Sequence, residues 1–252
     1  MRFAGLTFGI LALAACSPGK DKELMAETQP GATTTVAPPE AAPAPAQAAP
    51  SIEGIPAGAY TLDATHATLL FRVSHLGYSN YTAQFRTFDV ALELDPKNPA
   101  AAKVTATIDA TSLQLPSPPK GFEDEIKGDK WIDAGKFAKI TFASTKVEPT
   151  GASTARVIGD LTLHGVTRPV TLEMTFNGGY GGNTFDPNAR IGFSAHGRFK
   201  RSDFGISYGV PEPGSNMGVG DDVDVIIETE FSGPAMPVAP AAPAAPAATT
   251  PN

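Results

Sequence analysis

The sequence predicts a single all-β domain of about eight antiparallel strands, closed into a barrel or packed as a two-layer sandwich. Apolar residues recur at every second position in successive segments between residues 54 and 233. Only the stretch 121–137 departs from that period. Both ends of the 252-residue chain are rich in Pro and Ala and lack core-forming side chains. One domain therefore accounts for the folded part of the chain.

The first half of this domain predicts strands that each have one buried face. Residues of one parity are apolar and those of the other parity are mostly polar, because side chains alternate across a strand. The residues on the apolar face are Leu69, Phe71, Val73 and His75, then Phe88, Val90, Leu92 and Leu94, then Val104, Ala106 and Ile108.

A short helical insertion follows these strands. In the segment GFEDEIKGDKWIDAGKF, Phe122 and Ile126 are four residues apart with charged residues between them. This spacing favours one or two short helices after Pro119. We expect the insertion to cap one end of the domain.

The period of two resumes after the insertion and predicts the remaining strands. The segment HGVTRP lies between two of them and predicts a hairpin turn. The alternating residues are Ile140 and Phe142, then Val157, Gly159, Leu161 and Leu163, then Val170, Leu172, Met174 and Phe176, then Ile191, Phe193, Ala195 and Phe199, and finally Val223, Val225, Ile227, Thr229 and Phe231.

The predicted sheet must bury its apolar face against itself, because no long helix is available to cover it. Closure into a barrel and packing as a sandwich both achieve this. A closed barrel of eight strands leaves room for one small ligand, whereas a sandwich fills its interior with side chains. Alternation alone does not choose between the two.

The N-terminal residues predict export and a lipid anchor. The segment MRFAGLTFGILALAAC has one Arg, an apolar run too short to span a bilayer, and small residues before Cys16. Its end resembles the lipobox of bacterial lipoproteins, in which the Cys is lipidated with acyl chains such as palmitate. The resemblance implies a periplasmic location, lipid-anchored through Cys16, in the outer membrane because Ser17 follows. The alternative is an ordinary secreted protein with a spare thiol.

The predicted organisation has four parts. Residues 1–15 form the lipoprotein signal peptide, and residues 16–53 form a Pro/Ala-rich disordered linker. Residues 54–233 form the β-domain, and residues 234–252 form a Pro/Ala-rich disordered tail. The two Pro/Ala-rich segments read as solvated spacers that need no specific partner.

Composition excludes several classes of function. A formal charge of -7 without a basic cluster argues against nucleic acid as a partner. A single Cys excludes disulfide frameworks and Cys-rich metal sites. The four His show no HxH or HxxxH spacing, and no Gly-x-Ser-x-Gly segment is present, so we expect no metal, no cofactor and no enzymatic activity.

Four segments resemble one family in its order along the chain. They are YTLDATHATLLFRVSHLG, FAKITFASTKV, GDLTLHGVTRPVTLEM and FKRSDFGI, and the similarity extends from about residue 58 to residue 231. They resemble the YceI-like family of lipocalin-like domains that bind polyisoprenoid lipids. The resemblance implies an extended eight-stranded antiparallel barrel with a short helical insertion and an elongated apolar tunnel. It favours the barrel over the sandwich.

The inward side chains of such a barrel are the candidate ligand-binding residues. A long apolar lipid, polyisoprenoid or quinone-like, needs mainly apolar contact, and the alternative is a solid barrel that acts as an envelope interaction protein. An exposed edge of the sheet would also allow two copies of the chain to form a homodimer. The candidates are Leu69, Phe71, Val73, His75, Val90, Leu92, Phe142, Leu163, Leu172, Met174, Phe193, Phe199 and Arg201.

The polar candidates each have a functional and a structural interpretation. His66 and His75 are hydrogen-bond partners for a head group, or else they tie strand ends to loop backbone. Arg201 is a partner for an anionic head group, or else it pairs with Asp203 and holds a loop. For His164 beside the predicted hairpin, the structural interpretation is favoured.

Overall fold

Residues 50–236 are described by the structure, which is a computed structural model. They form one antiparallel sheet that closes on itself, with very little helix. The strands are β1 (Gly58–Leu62), β2 (Thr68–His75), β3 (Ser79–Phe85), β4 (Phe88–Leu94), β5 (Lys103–Asp109), β6 (Leu113–Gln114), β7 (Lys139–Pro149), β8 (Thr154–Leu163), β9 (Val166–Tyr180), β10 (Asn188–Lys200) and β11 (Val219–Ala235). The α-helix α1 spans Phe122–Lys127, and 3₁₀ turns span Ala64–His66, Pro99–Ala101, Ala110–Ser112 and Arg201–Phe204.

These segments make a barrel of eight long strands, because three of the long strands are interrupted. β1 and β2 both pair with β11, β3 and β4 pair with β2 and β1 in turn, and β5 and β6 pair with β4 and β3. β7 to β11 then follow as successive antiparallel neighbours. The pairing of β1 with β11 closes the ring. The prediction of an eight-stranded barrel is confirmed, and the sandwich is wrong.

Two copies of one local motif cause interruptions in the first and third long strands. Asp63 accepts hydrogen bonds from the backbone N–H and the hydroxyl of Thr65, at 3.0 and 2.6 Å. Asp109 accepts the same pair of bonds from Thr111, at 2.8 and 2.7 Å. Each Asp thereby begins a 3₁₀ turn in the way that an N-cap residue begins a helix. The chain bends at both points and then continues along the same neighbour.

The predicted hairpin in HGVTRP joins β8 to β9. Leu163 pairs with Val166, so His164 and Gly165 form a two-residue turn, and their φ angles are 51° and 74°. Positive φ at both positions is the geometry that matches the twist of antiparallel strands. A Cβ atom at residue 165 would also lie 2.5 Å from the Phe137 ring, so Gly is required there.

The barrel has two unlike ends. The chain enters β1 and leaves β11 at one end, where Tyr60, Ala189 and Ile191 are almost completely buried in an apolar cluster. The insertion that carries α1 lies at the other end, where Ala134 and Phe204 are buried in a second cluster. The predicted helix is therefore present, and it lies across one end of the barrel.

The ordered barrel extends slightly beyond the predicted boundaries. Ile52 packs against the cluster at the chain-terminal end, and β11 continues to Ala235. Cys16, the signal peptide and most of the predicted linker and tail lie outside residues 50–236 and stay predictions. Within that range, no helix has the length and apolar composition needed to cross a bilayer.

Candidate functional site

An elongated cavity of about 400 Å³ lies inside the barrel. Along β11 its wall runs from Val219 to Phe231, which corresponds to about 30 Å along the axis at a rise of about 3.3 Å per residue and a tilt of about 40°. Apart from His75, Tyr81, Trp131, Arg201 and Thr229, every lining residue has an apolar side chain. The site is therefore an apolar tunnel.

Inward side chains at the middle of the barrel are only half-buried. Phe71, Val90 and Met174 point inward by strand parity and line the cavity, yet each keeps an intermediate solvent exposure. In a filled core such residues lose nearly all of their accessible surface. The exposure arises because these side chains face a hollow instead of one another.

The structure brings every predicted ligand-binding residue, from Leu69 to Arg201, to the wall of this one cavity. Their contact with a ligand stays a prediction. The wall also includes residues that were not predicted as binding residues. Some of them, such as Phe88 and Val104, had been placed on the apolar face but not chosen. Trp131, Ile132 and Ile206 come from irregular segments, which carry no periodic signal.

The cavity is closed at the chain-terminal end. Phe193 lies between Phe176 and Phe231, and the centroid of its ring is 5.4 Å from that of Phe176 and 6.1 Å from that of Phe231. Phe176 and Phe231 are buried, and Tyr60 and Ile191 lie in the same cluster. Aromatic contacts of this kind pack tightly, so the cluster forms a solid floor.

The cavity opens at the α1 end. Among the residues that line it, only His75 and Phe122 are exposed, and both lie at that end. His75 is the last residue of β2, and Phe122 is the first residue of α1. The opening of the cavity therefore lies between the β2–β3 turn and α1.

Arg201 holds the long segment between β10 and β11 in place. Its guanidinium donates to the carbonyls of Ile206, Tyr208, Val219 and Gly220, at 2.8 to 3.0 Å. Its side chain is 5% exposed, and burial lowers the pKa of the guanidinium below its ordinary value. The structure places no bond between Arg201 and Asp203, so that expected pairing is wrong, whereas the expected tethering of a loop is present. The interaction with an anionic head group stays a prediction.

Three further polar side chains reach the tunnel wall. The hydroxyl of Thr229 donates to the Phe193 carbonyl at 3.3 Å, so the floor carries no free hydroxyl there. Burial raises the pKa of Tyr81, with a smaller contribution from Glu123. The indole N–H of Trp131 is buried and has no hydrogen-bond partner among residues 50–236. The polar groups thus lie mainly near the opening.

His66 belongs to a surface cluster outside the tunnel. Its Nδ1 lies 3.0 Å from an Asp63 carboxylate oxygen and 3.9 Å from one of Glu230, so it contacts side chains and not the loop backbone. These three residues are the one group of metal-ligand types brought together in the described part of the chain. Arg190 lies 3.4 Å from the same Asp63 oxygen and disfavours a bound cation there.

The cluster also shifts two pKa values. Hydrogen bonds from Thr65 and His66 lower the pKa of Asp63 to about 2. The same Asp63 contact raises the pKa of His66. His164, in contrast, lies in the turn between β8 and β9, where it contacts the Phe204 carbonyl at 3.2 Å and packs edge-on against Phe137.

Comparison with known proteins gives consistent matches. The family model described as the YceI-like domain matches residues 60–231. UPF0312 proteins of Vibrio parahaemolyticus and Vibrio campbellii are each 41% identical over 155 residues, which is 61% of this chain and 80% of each relative.

Solved structures share the fold. BcnA of Burkholderia cenocepacia is 25% identical with a TM-score of 0.57, over 67% of this chain and 98% of that one. The YceI protein of Campylobacter jejuni is 25% identical with a TM-score of 0.53, over 64% and 89%. A domain of Saccharophagus degradans, described as polyisoprenoid-binding, is 16% identical with a TM-score of 0.53, over 70% and 99%, and at that identity it shows the fold alone.

Proposed function

The chain belongs to the family of YceI-like domains, and from this premise we propose that it holds one long apolar lipid, a polyisoprenoid or a quinone-like molecule, inside its barrel. The observation that carries the proposal is the apolar tunnel, closed at one end and lined by half-buried side chains. The alternative, a solid barrel with an interaction role, requires an interior filled by side chains, whereas this barrel contains a cavity. The Saccharophagus degradans domain described as polyisoprenoid-binding has the same fold, which supports this ligand class.

The volume of the tunnel sets the amount of lipid that fits. An engineered apolar cavity of about 150 Å³ binds benzene, which is about 25 Å³ per carbon atom. A cavity of about 400 Å³ therefore holds about 16 carbons. This corresponds to three isoprene units. A longer lipid would leave its remaining carbons at the opening.

Apolar contact alone supplies enough binding free energy. Burial contributes about 0.8 kcal/mol per carbon, so a chain of about 15 carbons gains about 12 kcal/mol before the entropic losses of association are subtracted. The few polar groups near the opening then need only to orient the end of the lipid that stays outside.

We propose binding without chemistry. Of the lining groups that bear protons, Arg201 and Thr229 already donate to backbone carbonyls, and the residues that line the cavity include no Ser, Cys, Asp or Glu. A nucleophile next to a base is the usual requirement for covalent catalysis. The lining therefore offers a ligand contact surface and no reaction centre.

The direct test is to identify what the protein carries. The full chain carrying Cys16→Ser, so that no acyl chain of its own contributes, is purified without detergent and extracted with organic solvent, and the extract is analysed by mass spectrometry. We expect an apolar lipid in stoichiometric amount, and we expect farnesol, a prenyl alcohol of 15 carbons, to raise the melting temperature of the protein from which this lipid has been removed. If repeated preparations contain no such molecule and farnesol gives no shift, the proposal is wrong.

We also propose that Cys16 anchors the protein at the periplasmic face of the outer membrane. Several acyl chains give a lasting anchor, since each buried methylene contributes about 0.8 kcal/mol. A Cys16→Ser protein should leave the membrane fraction, and its presence there in unchanged amount would contradict the anchor.

A further inference from the structure

Four large apolar side chains surround the opening of the tunnel and point into solvent. Tyr78, Phe122, Tyr208 and Met217 are 80%, 37%, 49% and 69% exposed. We call these four residues the rim. Phe122 itself lines the cavity, and the other three stand beside lining residues. Exposed apolar residues scattered singly need no explanation, but a group around an apolar opening does.

Hydrogen bonds and ring contacts place the rim residues on adjoining loops. The backbone N–H of Leu76 donates to the Gly218 carbonyl at 2.8 Å, which joins the loop of Tyr78 to the loop of Met217. The Tyr208 carbonyl accepts from Arg201 at 2.9 Å. The Tyr208 ring lies 5.3 Å from the ring of Trp131, in the segment that follows α1.

The segments around the opening carry no excess of basic residues, so they do not form a positively charged surface that would bind anions. Residues 115–138 contain four Lys and five acidic residues. Residues 201–218 add Arg201, Asp203 and Glu212, and the turn 76–78 adds no charge. Polybasic segments are the usual means of binding anionic lipid surfaces. The rim therefore suits an electrically neutral surface that accepts Tyr, Phe and Met side chains.

We propose that the rim docks on the surface of a neutral lipid bilayer, so that an apolar chain passes between bilayer and tunnel without crossing water. Tyr and other amphipathic aromatic residues favour the membrane interface, and Phe and Met gain apolar contact below it. The tunnel opens inside the ring of rim residues, so the contact is continuous with the proposed lipid site. Lipid transfer rests on the proposed function, whereas docking itself does not.

The chain offers a matched control at the opposite end. Phe185 is 99% exposed and lies in the loop between β9 and β10, at the closed end of the barrel. If exposed apolar side chains adhered to bilayers regardless of position, Phe185 would contribute at least as much as any rim residue.

The test measures binding to vesicles of phosphatidylcholine by flotation, with the full chain carrying Cys16→Ser so that no acyl chain contributes. Replacing Tyr78 and Met217 together by Ser should lower the vesicle partition coefficient by about thirtyfold, since two partly inserted side chains are lost. Phe185→Ser should leave it unchanged. Added phosphatidylglycerol and high salt should change it little.

Ligand uptake separates docking from a structural effect. Tyr78 and Met217 do not line the cavity, so the double variant should bind farnesol from solution with unchanged affinity while it takes up farnesol from vesicles at least tenfold more slowly. Unchanged vesicle binding in the double variant overturns the proposal, as does an equal loss in Phe185→Ser or binding that needs anionic lipid. A parent protein that is dimeric in sedimentation, with a monomeric double variant, would make the rim a subunit interface instead. Vesicle docking without any farnesol binding would refute the lipid site and leave docking in place.

Discussion

Filling part of the tunnel should shorten the lipid that the protein accepts. Ala106 on β5 lines the cavity, and its strand neighbours Val90 and Phe142 do so as well. In Ala106→Phe, the added ring occupies about 150 Å³, the size of a cavity that holds benzene. About 250 Å³ of the original volume of about 400 Å³ is then left, and this space holds about ten carbons.

The expected loss follows from the displaced carbons. Farnesol has 15 carbons, so five of them are displaced; at about 0.8 kcal/mol each they amount to about 4 kcal/mol, or about a thousandfold in its dissociation constant. Geraniol, with ten carbons, still fits and should keep its affinity within a few fold. The dissociation constants are measured by isothermal titration calorimetry.

The control places the same ring on the outside of the same sheet. Ala143 on β7 is exposed and pairs with Thr105, the residue before Ala106. Ala143→Phe should change the dissociation constant of neither farnesol nor geraniol, because Thr105 and Ala106 face opposite sides of the sheet and Ala143 lies on the outer side with Thr105. If Ala106→Phe, with a cooperative thermal transition, binds farnesol as tightly as the parent, the lipid does not occupy the tunnel.

Three further outcomes follow from the same geometry. In a series of prenyl and alkyl alcohols, affinity should rise about fourfold per carbon up to about 16 carbons and then level off, as measured by competition with a fluorescent fatty probe. Arg201→Met leaves four backbone carbonyls without their donor and should lower the free energy of unfolding by about 3–5 kcal/mol in urea titration, whereas Arg198→Met, at an exposed ion pair, should change it little. Asp63 raises the pKa of His66 in the folded state, so this contact stabilises the fold fully below the unfolded pKa of about 6.5 and ceases to do so as pH rises through the folded pKa. The melting temperature of His66→Ala should therefore lie below that of the parent at pH 5 and approach it at pH 9. An equal difference at the two pH values would refute this.

The regular strands and most of the tunnel wall could be predicted from the sequence for one reason. Strand parity decides which side chains point inward, and in a closed barrel everything that points inward near the middle meets the cavity. The position of a residue such as Leu172 on β9 at the tunnel wall could therefore be predicted without knowledge of the tertiary structure. Parity does not say whether the inward side chains fill the space, so the hollow itself depended on the family resemblance.

Other features lacked a periodic signal. Trp131 and Ile206 reach the tunnel from irregular segments that return to the barrel only in three dimensions. Two of the three breaks in the long strands did leave a local signature, since Asp-Ala-Thr occurs at residues 63–65 and 109–111, where the Asp side chain turns the backbone. The role of Arg201 was ambiguous, because a sequence does not show whether a buried Arg meets carboxylates or backbone carbonyls.

The size of the hollow has a consequence for the protein without lipid. Cavities left in protein cores by large-to-small substitution destabilise by about 24 cal/mol per Å³. At that coefficient a volume of about 400 Å³ corresponds to about 10 kcal/mol, which is as large as the whole free energy of unfolding of a typical domain. A closed ring of strands with packed clusters at both ends tolerates such a gap better than a layered core does, since every strand retains both of its neighbours. On the proposed function, a bound chain of about 16 carbons restores the stabilisation that the empty barrel lacks, so added ligand should raise the free energy of unfolding of the parent more than that of a variant with a partly filled tunnel, such as Ala106→Phe.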